Sequence, residues 1–393
     1  MELQQPPPPL QCVVIQPGKE SPAPLPQKQQ PVIRNNNNSV RASSRRSRVY
    51  VLRSFLLETF PFLSDNNKNS KIATTTNKQC TVLDVAGGKG DLSWLLHNAD
   101  GIHSVVADPR LTKHEHLLRS VHFLLAHPDE AALRAIPGRP THQPLAALIP
   151  QLIQRNQTKC HTTRKDCEGS PNEAGGTIEF RDPRHLRIFI DQRLVDAVKC
   201  VLESIDDNEN NNGNPTETAW KEWREYWKNA TNRAKRAEPL GYKERGDQTS
   251  GTIQDAKEAL ATIRSIRLVV GFHPDQAVDA CIDLAQTLGV PFCVCPCCVF
   301  PKEFPHRRTP SGDPVKRYDD LLEYLESKDP HRIKKAYLNF TATATAKNVV
   351  LYTLPETTGD GGEDEQIGRK VEAQSLLSSS SAASAVAAAL DET

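Results

Sequence analysis

The sequence predicts an α/β fold: a mostly parallel sheet with a closing antiparallel hairpin, flanked by disordered termini. Three observations predict it. Short β-rich apolar runs alternate with stretches of helical spacing, as strands and crossover helices do in parallel sheets. A glycine-rich turn follows the first apolar run, where doubly wound folds bind nucleotides. The last two runs, Arg332 to Phe340 and Asn348 to Leu354, pair naturally as a hairpin.

The elements follow in order. Residues 1–44 are rich in Pro, Gln and Asn and form a disordered leader, because such segments bury too little apolar surface to offset their ordering entropy. Order begins at Arg48 to Phe60, where Val49, Leu52, Leu56 and Phe60 recur at helical spacing. After an Asn/Thr-rich linker, Cys80 to Val85 is a strand ended by glycines, and Leu92 to His97 continues as a helix. His103 to Ala107 is a second strand ending at Asp108-Pro109, which closes a βαβ unit. Leu111 to Leu152 is helical with breaks at Pro128, Pro137 and Pro140, and residues 154–176 are a polar loop. Gly176 to Phe180 gives a third strand, followed by a helix through Leu186, Ile190, Leu194 and Val198 to Leu202.

Asp206 to Asn214 is a solvated tract, and Thr218 to Ala237 is a charged helix carrying Trp220, Trp223 and Trp227. Ala256 to Ser265 is helical, Ile266 to Gly271 is the fourth strand, Asp275 to Leu288 an amphipathic helix and Pro291 to Cys295 the fifth strand. Asp313 to Ser327 is a helix leading into the hairpin. Beyond Pro355 the composition turns to Gly/Glu/Asp and then Ser/Ala, a disordered tail over 356–393. One domain is expected over 45–355, with insertions at about 126–176 and 203–250.

Composition narrows the setting. Lys and Arg total 49 against 48 Asp and Glu, so affinity for nucleic acid has to come from local patches. Ten Cys without a secretory signal peptide read as reduced thiols of an intracellular protein, in cytoplasm or nucleus. No apolar run reaches about 18 residues, so no transmembrane helix and no membrane partner are expected. From Val32 to Arg53 there are six Arg, several Ser and no acid. That pattern fits an organelle import signal, a basic arm or nuclear signal, or a plain disordered leader, and the Pro run at Pro6 to Pro9 is odd for an import signal.

The glycine turn reads Asp84-Val-Ala86-Gly87-Gly88-Lys89-Gly90. A nucleoside-triphosphate loop requires Ser or Thr after Gly-Lys, whereas Gly90 follows Lys89. A dinucleotide fingerprint requires a glycine where Ser93 stands. What remains resembles the acid-x-Gly-x-Gly-x-Gly motif of S-adenosylmethionine-dependent methyltransferases, with Asp84, Ala86, Gly88 and Gly90 on the pattern positions and Ala86 departing from the first glycine. The resemblance implies a Rossmann-like methyltransferase sheet, with Asp84, Ala86, Gly87, Gly88 and Gly90 around the methionine end of S-adenosyl-L-methionine. It also implies that Asp108, at the end of the second strand, binds the ribose hydroxyls; Asp108 lies about 20 residues past the loop, as a βαβ unit demands. By the same resemblance Asp182, just after the expected third strand, is an adenine-side contact, or else a solvated loop acid.

Two further loops fall at the carboxyl edge of the sheet, where ligands bind. Gly271-Phe-His273-Pro-Asp275-Gln276 follows the fourth strand and Val294-Cys-Pro-Cys297-Cys298 follows the fifth. Gly-x-His and Cys-Cys at these places resemble a methyltransferase branch that includes tRNA 2′-O-methyltransferases and methyltransferase-like proteins. The resemblance spans Arg48 to Leu354 outside the insertions and lacks the tRNA enzymes' amino-terminal zinc finger. Its targets differ from member to member, so fold does not fix the acceptor. Three chemistries compete. His273 or Asp275 positions or deprotonates an acceptor in line with the methyl group. A thiolate at Cys297 or Cys298 adds to a pyrimidine ring, although cysteines at a buried strand end are usually inert. Cys293, Cys295, Cys297 and Cys298 bind zinc with His273 or His306, although alternate strand positions share a face without enclosing a metal. The first is preferred, and no metal is expected.

Trp220, Trp223 and Trp227 share a helical face ringed by Lys and Arg, which suits base stacking, but the spacing equally marks a helix docking on its own core, and docking is favoured. Lys302, Arg307 and Arg308 beside the expected pocket make RNA, tRNA included, the leading acceptor. The alternatives are a protein or small-molecule methyltransferase, or a non-catalytic adaptor that keeps the fold.

Overall fold

The structure is a computed structural model that describes residues 45–64, 81–139, 141–157, 178–206, 215–237, 251–338 and 347–355. The expected disordered leader and tail lie outside these residues, as do Cys80 and the solvated tract between Asp206 and Asn214.

The elements in chain order are α1 (Arg45–Thr59), β1 (Thr81–Val85), α2 (Asp91–Leu95), β2 (His103–Ala107), α3 (Glu115–Ala126), α4 (Pro128–Ala135), α5 (Pro144–Asn156), β3 (Arg184–Leu186) and α6 (Gln192–Asp206). They continue with α7 (Glu217–Arg236), α8 (Ala256–Arg264), β4 (Ile266–Phe272), α9 (Val278–Leu288), β5 (Phe292–Cys295), α10 (Tyr318–Glu326), β6 (Lys334–Tyr337) and β7 (Val349–Tyr352). The strands form one seven-stranded sheet in the order β3-β2-β1-β4-β5-β7-β6. β1, β2, β3, β4 and β5 run parallel, and β7 is antiparallel to both β5 and β6, which is the closing hairpin the sequence predicted.

Both faces of the sheet are covered, so its central strands are buried on both sides and largely apolar rather than alternating. One apolar cluster holds Leu83, Val85, Val269, Phe292 and Val294 with residues of α6, α7, α8, α9 and α10. The other holds Val82, Leu268, Val270, Cys293 and Cys295 with residues of α1, α2, α3, α4 and α5. A register shift between Thr81 and Val82 opposite β4 leaves Arg267 as the extra, exposed residue. Ile266 and Leu268 therefore face opposite clusters although they are two apart.

Three expectations are corrected. The third strand is Arg184–Leu186, not Gly176 to Phe180. Ile178 makes an isolated bridge to Gln157, Phe180 packs on Trp94, and the Arg181 backbone pairs in both directions with the Asn98 side chain. β3 carries Arg and His, which no apolar pattern flags, yet His185 is buried and its Nε2 donates to the Asp108 carbonyl at 2.8 Å. The helix expected through Leu186 starts later, at Gln192. The helix expected from Asp313 starts at Tyr318, where Asp320 accepts from the Arg317 backbone N–H at 2.9 Å.

α7, which the sequence places within an insertion, packs on the core. Trp223 and Trp227 are buried, and their indole N–H groups donate to Ala256 and Gln254 carbonyls at 2.7 and 2.8 Å. The tryptophans thus dock the helix, the reading the sequence favoured. Arg53, counted in the basic segment, is likewise buried and pairs with Asp100. Among the described residues no helix is long and apolar enough to cross a membrane.

Candidate functional site

The chain runs outward from β1 to β2 and β3, then returns to place β4 on the other side of β1. At such a reversal the loops after neighbouring strands diverge and leave a crevice at the carboxyl edge. A cleft of about 820 Å³ opens there, within the range of small-molecule and cofactor sites. Its walls include Ala86 after β1, Asp108 after β2, Phe189 and Asp191 after β3, and Pro274 and Asp275 after β4.

The β1 loop is held from below. Asp84 is buried near the end of β1, with Oδ2 accepting from Ser93 Oγ at 3.1 Å. Burial pushes its carboxyl up to about 7. A Cβ on Gly87 would stand 2.6 Å from Asp84 Oδ2, so only glycine lets the loop cross this carboxylate. Ala86, Gly88 and Gly90 all have positive φ, at 52°, 59° and 80°. Ala86 thus takes a glycine-like conformation with an L side chain, a strain of about 1–2 kcal/mol. Beneath Gly90 lies His114, whose imidazole burial holds down to about 4 and therefore neutral.

Asp108 closes the other side of the loop. It is 1% exposed, and Oδ2 accepts the Gly88 backbone N–H at 2.9 Å. Arg110 fills the remaining positions: its backbone N–H and Nε reach Oδ1 at 2.8 and 3.0 Å, and Nη2 reaches Oδ2 at 3.1 Å. All four lone-pair directions of this carboxylate are occupied by donors.

Asp182 is not at this cleft. It precedes β3, exposed at the opposite edge of the sheet, while the residues at the carboxyl end of β3 are Phe189 and Asp191. Arg233, near the end of α7, donates to Asp191 at 2.7 Å with its guanidinium 4.8 Å from the Phe189 ring centre. The misplaced third strand hid Asp191 and Phe189 from sequence reasoning, and only the docking of α7 brings Arg233 in. The far wall holds an ion cluster of Asp279, Asp283, Arg307 and Lys328, with Arg307 2% exposed over the Phe304 ring. Arg307 is therefore a buried strut rather than part of a surface patch.

The loops after β4 and β5 come together. The His273 backbone N–H donates to the Cys295 carbonyl at 3.1 Å. His273 and Asp275 have φ of 54° and 48°, and the half-buried His273 ring packs on Phe272. The Cys297 thiol donates to Asp275 Oδ1 at 3.1 Å, and the Cys297 and Cys298 sulfurs are 3.4 Å apart. Burial, with Asp275 alongside, holds the Cys297 thiol far above its ordinary range, so it is protonated at neutral pH. Cys293 and Cys295 are buried in β5, and burial pushes both thiols upward.

Of the residues singled out in the sequence, Ala86, Asp108 and Asp275 line the cleft, Asp84, Gly87, Gly88 and Gly90 shape its loop, and Cys297 and Cys298 join it through Asp275. No model of a known protein family, no curated protein and no solved structure matches this chain.

Proposed function

We propose that the protein is an S-adenosyl-L-methionine-dependent methyltransferase, with RNA as the first acceptor class to test. The observation that carries this reading is the Gly88 amide bonded to the Asp108 carboxylate across the mouth of the cleft. It joins the glycine turn and the acid about 20 residues beyond it, the two features that the motif resemblance assigns to one nucleoside. The strand order 3-2-1-4-5 with its reversal beside β1 supports a Rossmann-like, nucleotide-binding sheet. The residues fit the cofactor: a carboxylate for a ribose diol and a cleft of adequate volume.

In this reading Asp108 accepts from the ribose hydroxyls once Arg110 turns outward; Arg110 is 65% exposed and free to do so. The backbone from Ala86 to Gly90 lies against the methionine end, and Phe189 with Arg233 forms a flat wall suited to the base. The cofactor supplies an electrophilic methyl group on a sulfonium. Asp275, exposed at the cleft, orients the acceptor and takes its proton as the acceptor atom gains the methyl. The protonated Cys297 thiol weighs against thiolate addition to a pyrimidine. Exposed Lys302 and Arg308 flank the Phe304–His306 wall and support a phosphate-bearing acceptor.

The test is incubation of the purified chain with methyl-labelled cofactor and, separately, total RNA, protein extract and small metabolites. Label in RNA, mapped to one nucleotide, supports the reading. Label only in protein or metabolites moves the acceptor, and label in no fraction favours a non-catalytic adaptor.

A further inference from the structure

Asp275, Cys297 and Cys298 offer a carboxylate oxygen and two sulfurs that all lie within 4.8 Å of one another. They come from loops after adjacent parallel strands, and the His273–Cys295 backbone bond fixes one loop against the other. Tetrahedral zinc with metal–sulfur bonds of about 2.3 Å and metal–oxygen bonds of about 2.0–2.2 Å sets ligand atoms about 3.5–3.8 Å apart. The observed separations are 3.4 Å between the sulfurs and 3.1 Å from Cys297 to the carboxylate. Opening the cluster by about half an ångström would therefore seat the ion.

Two other features single the cluster out. His273 and Asp275 are both held at positive φ without being glycine, a backbone cost that persists where neighbouring structure enforces a side-chain position. And the thiol proton of Cys297 already points at the Asp275 oxygen, along the line that a cation bridging the two would occupy.

We propose that Asp275, Cys297 and Cys298 bind one thiophilic divalent cation of the zinc type, leaving its fourth coordination position to water or to a substrate heteroatom. The spacing of the strand cysteines argued against a closed four-sulfur site, and this is a different set: Cys293 and Cys295 stay in the core, and an aspartate from the β4 loop takes their place. Three protein ligands and one open position are the pattern of catalytic rather than structural zinc. Asp275 also lines the cleft, so the ion would border it. Binding displaces the thiol protons onto solvent, so affinity rises with pH. The proposal stands without the methyl-transfer reading, since it concerns only these side chains and a metal; with the ion bound Asp275 is its ligand, and its proton-accepting role belongs to the metal-free site.

The test uses the full-length reduced chain, dialysed against zinc and then against metal-free buffer, with bound metal measured by atomic emission. Cobalt substitution supplies a second readout, because thiolate ligands give a near-ultraviolet charge-transfer band. The expected result is one equivalent of metal and a thiolate band in the wild type, both lost in the C297S/C298S double variant. D275N, which removes the carboxylate ligand, is expected to bind at least about 10–100-fold more weakly, since even the partner of a ligand is worth that much. Cys298 and Asp275 are exposed, and circular dichroism checks that the variants fold. No bound metal in the wild type, or an unchanged equivalent in the double variant, overturns the proposal; the second result would put the metal on other cysteines.

Discussion

The two halves of the carboxyl edge are built differently. On the β1–β2 side the key carboxylates are buried: Asp84 lies under its loop with one oxygen bonded to Ser93, and Asp108 receives Gly88 and Arg110. On the β4–β5 side Asp275 and Cys298 are exposed, and Asp275 meets a thiol rather than a cation. A buried half suits a ligand that never changes, because most of its groups are held in place before the ligand arrives and only the exposed Arg110 has to move. An open, exposed half suits a partner that varies. In the proposed reading the first half binds the cofactor and the second carries the acceptor chemistry.

Breaking each half separately gives the largest expected effect. In the proposed reading D108A removes the acceptor of two ribose hydroxyls, each worth about 1.5–3 kcal/mol when the partner is charged, so cofactor affinity is expected to fall by at least about 100-fold. D275A leaves cofactor affinity within about threefold and lowers turnover instead, by about 10²–10⁴ if Asp275 takes the proton. Titration calorimetry and single-turnover assays on both variants separate the halves; equal loss of affinity in both would erase the distinction.

Asp84 sharpens it through pH. Its carboxyl is near 3.8 when unfolded and near 7 when folded, so the native state holds the proton more tightly. Stability from this group is full at low pH and is lost as pH rises toward about 7, by an amount of order a few kcal/mol. His114, held down to about 4, gives the opposite slope over pH 4 to 6.5 because the unfolded state is the one that binds its proton. D84N removes only the first contribution. Its melting temperature relative to wild type is expected to climb between pH 5 and pH 8, and a constant difference would contradict the buried-acid account.

G87A tests how tightly the first half is packed. Its Cβ would meet the Asp84 carboxylate at 2.6 Å, so a loss of about 1–3 kcal/mol is expected in chemical denaturation, together with weaker cofactor binding. R110A is the mildest change. An exposed ion pair is worth about 0.2–1 kcal/mol, so freeing Asp108 should tighten cofactor binding by no more than about fivefold. Weakened binding would mean that Arg110 holds the ligand rather than competing with it.

Much of the first half was legible in the sequence because it is local. The glycines follow their strand directly, and Asp108 lies one βαβ unit on, so the motif resemblance and that spacing together paired them. The β4 and β5 loops were legible as loops, and their chemistry became specific only when parallel pairing set Asp275 against Cys297 across 22 residues. The third strand was misread because its anchor is polar: His185 bonds to the Asp108 backbone, and apolar periodicity carries no trace of that. With the strand displaced, Asp182 was placed at the wrong edge and Asp191 was missed. Arg233 was out of reach for another reason. Its helix joins the core through Trp223 and Trp227, which marked docking but not the partner.

The central claim is that the β1–β2 half binds S-adenosyl-L-methionine, and equilibrium dialysis of the full chain against labelled cofactor tests it most directly. Near-stoichiometric binding by the wild type and none by D108A at the same concentration is the predicted result; no label retained by the folded wild-type protein would contradict it.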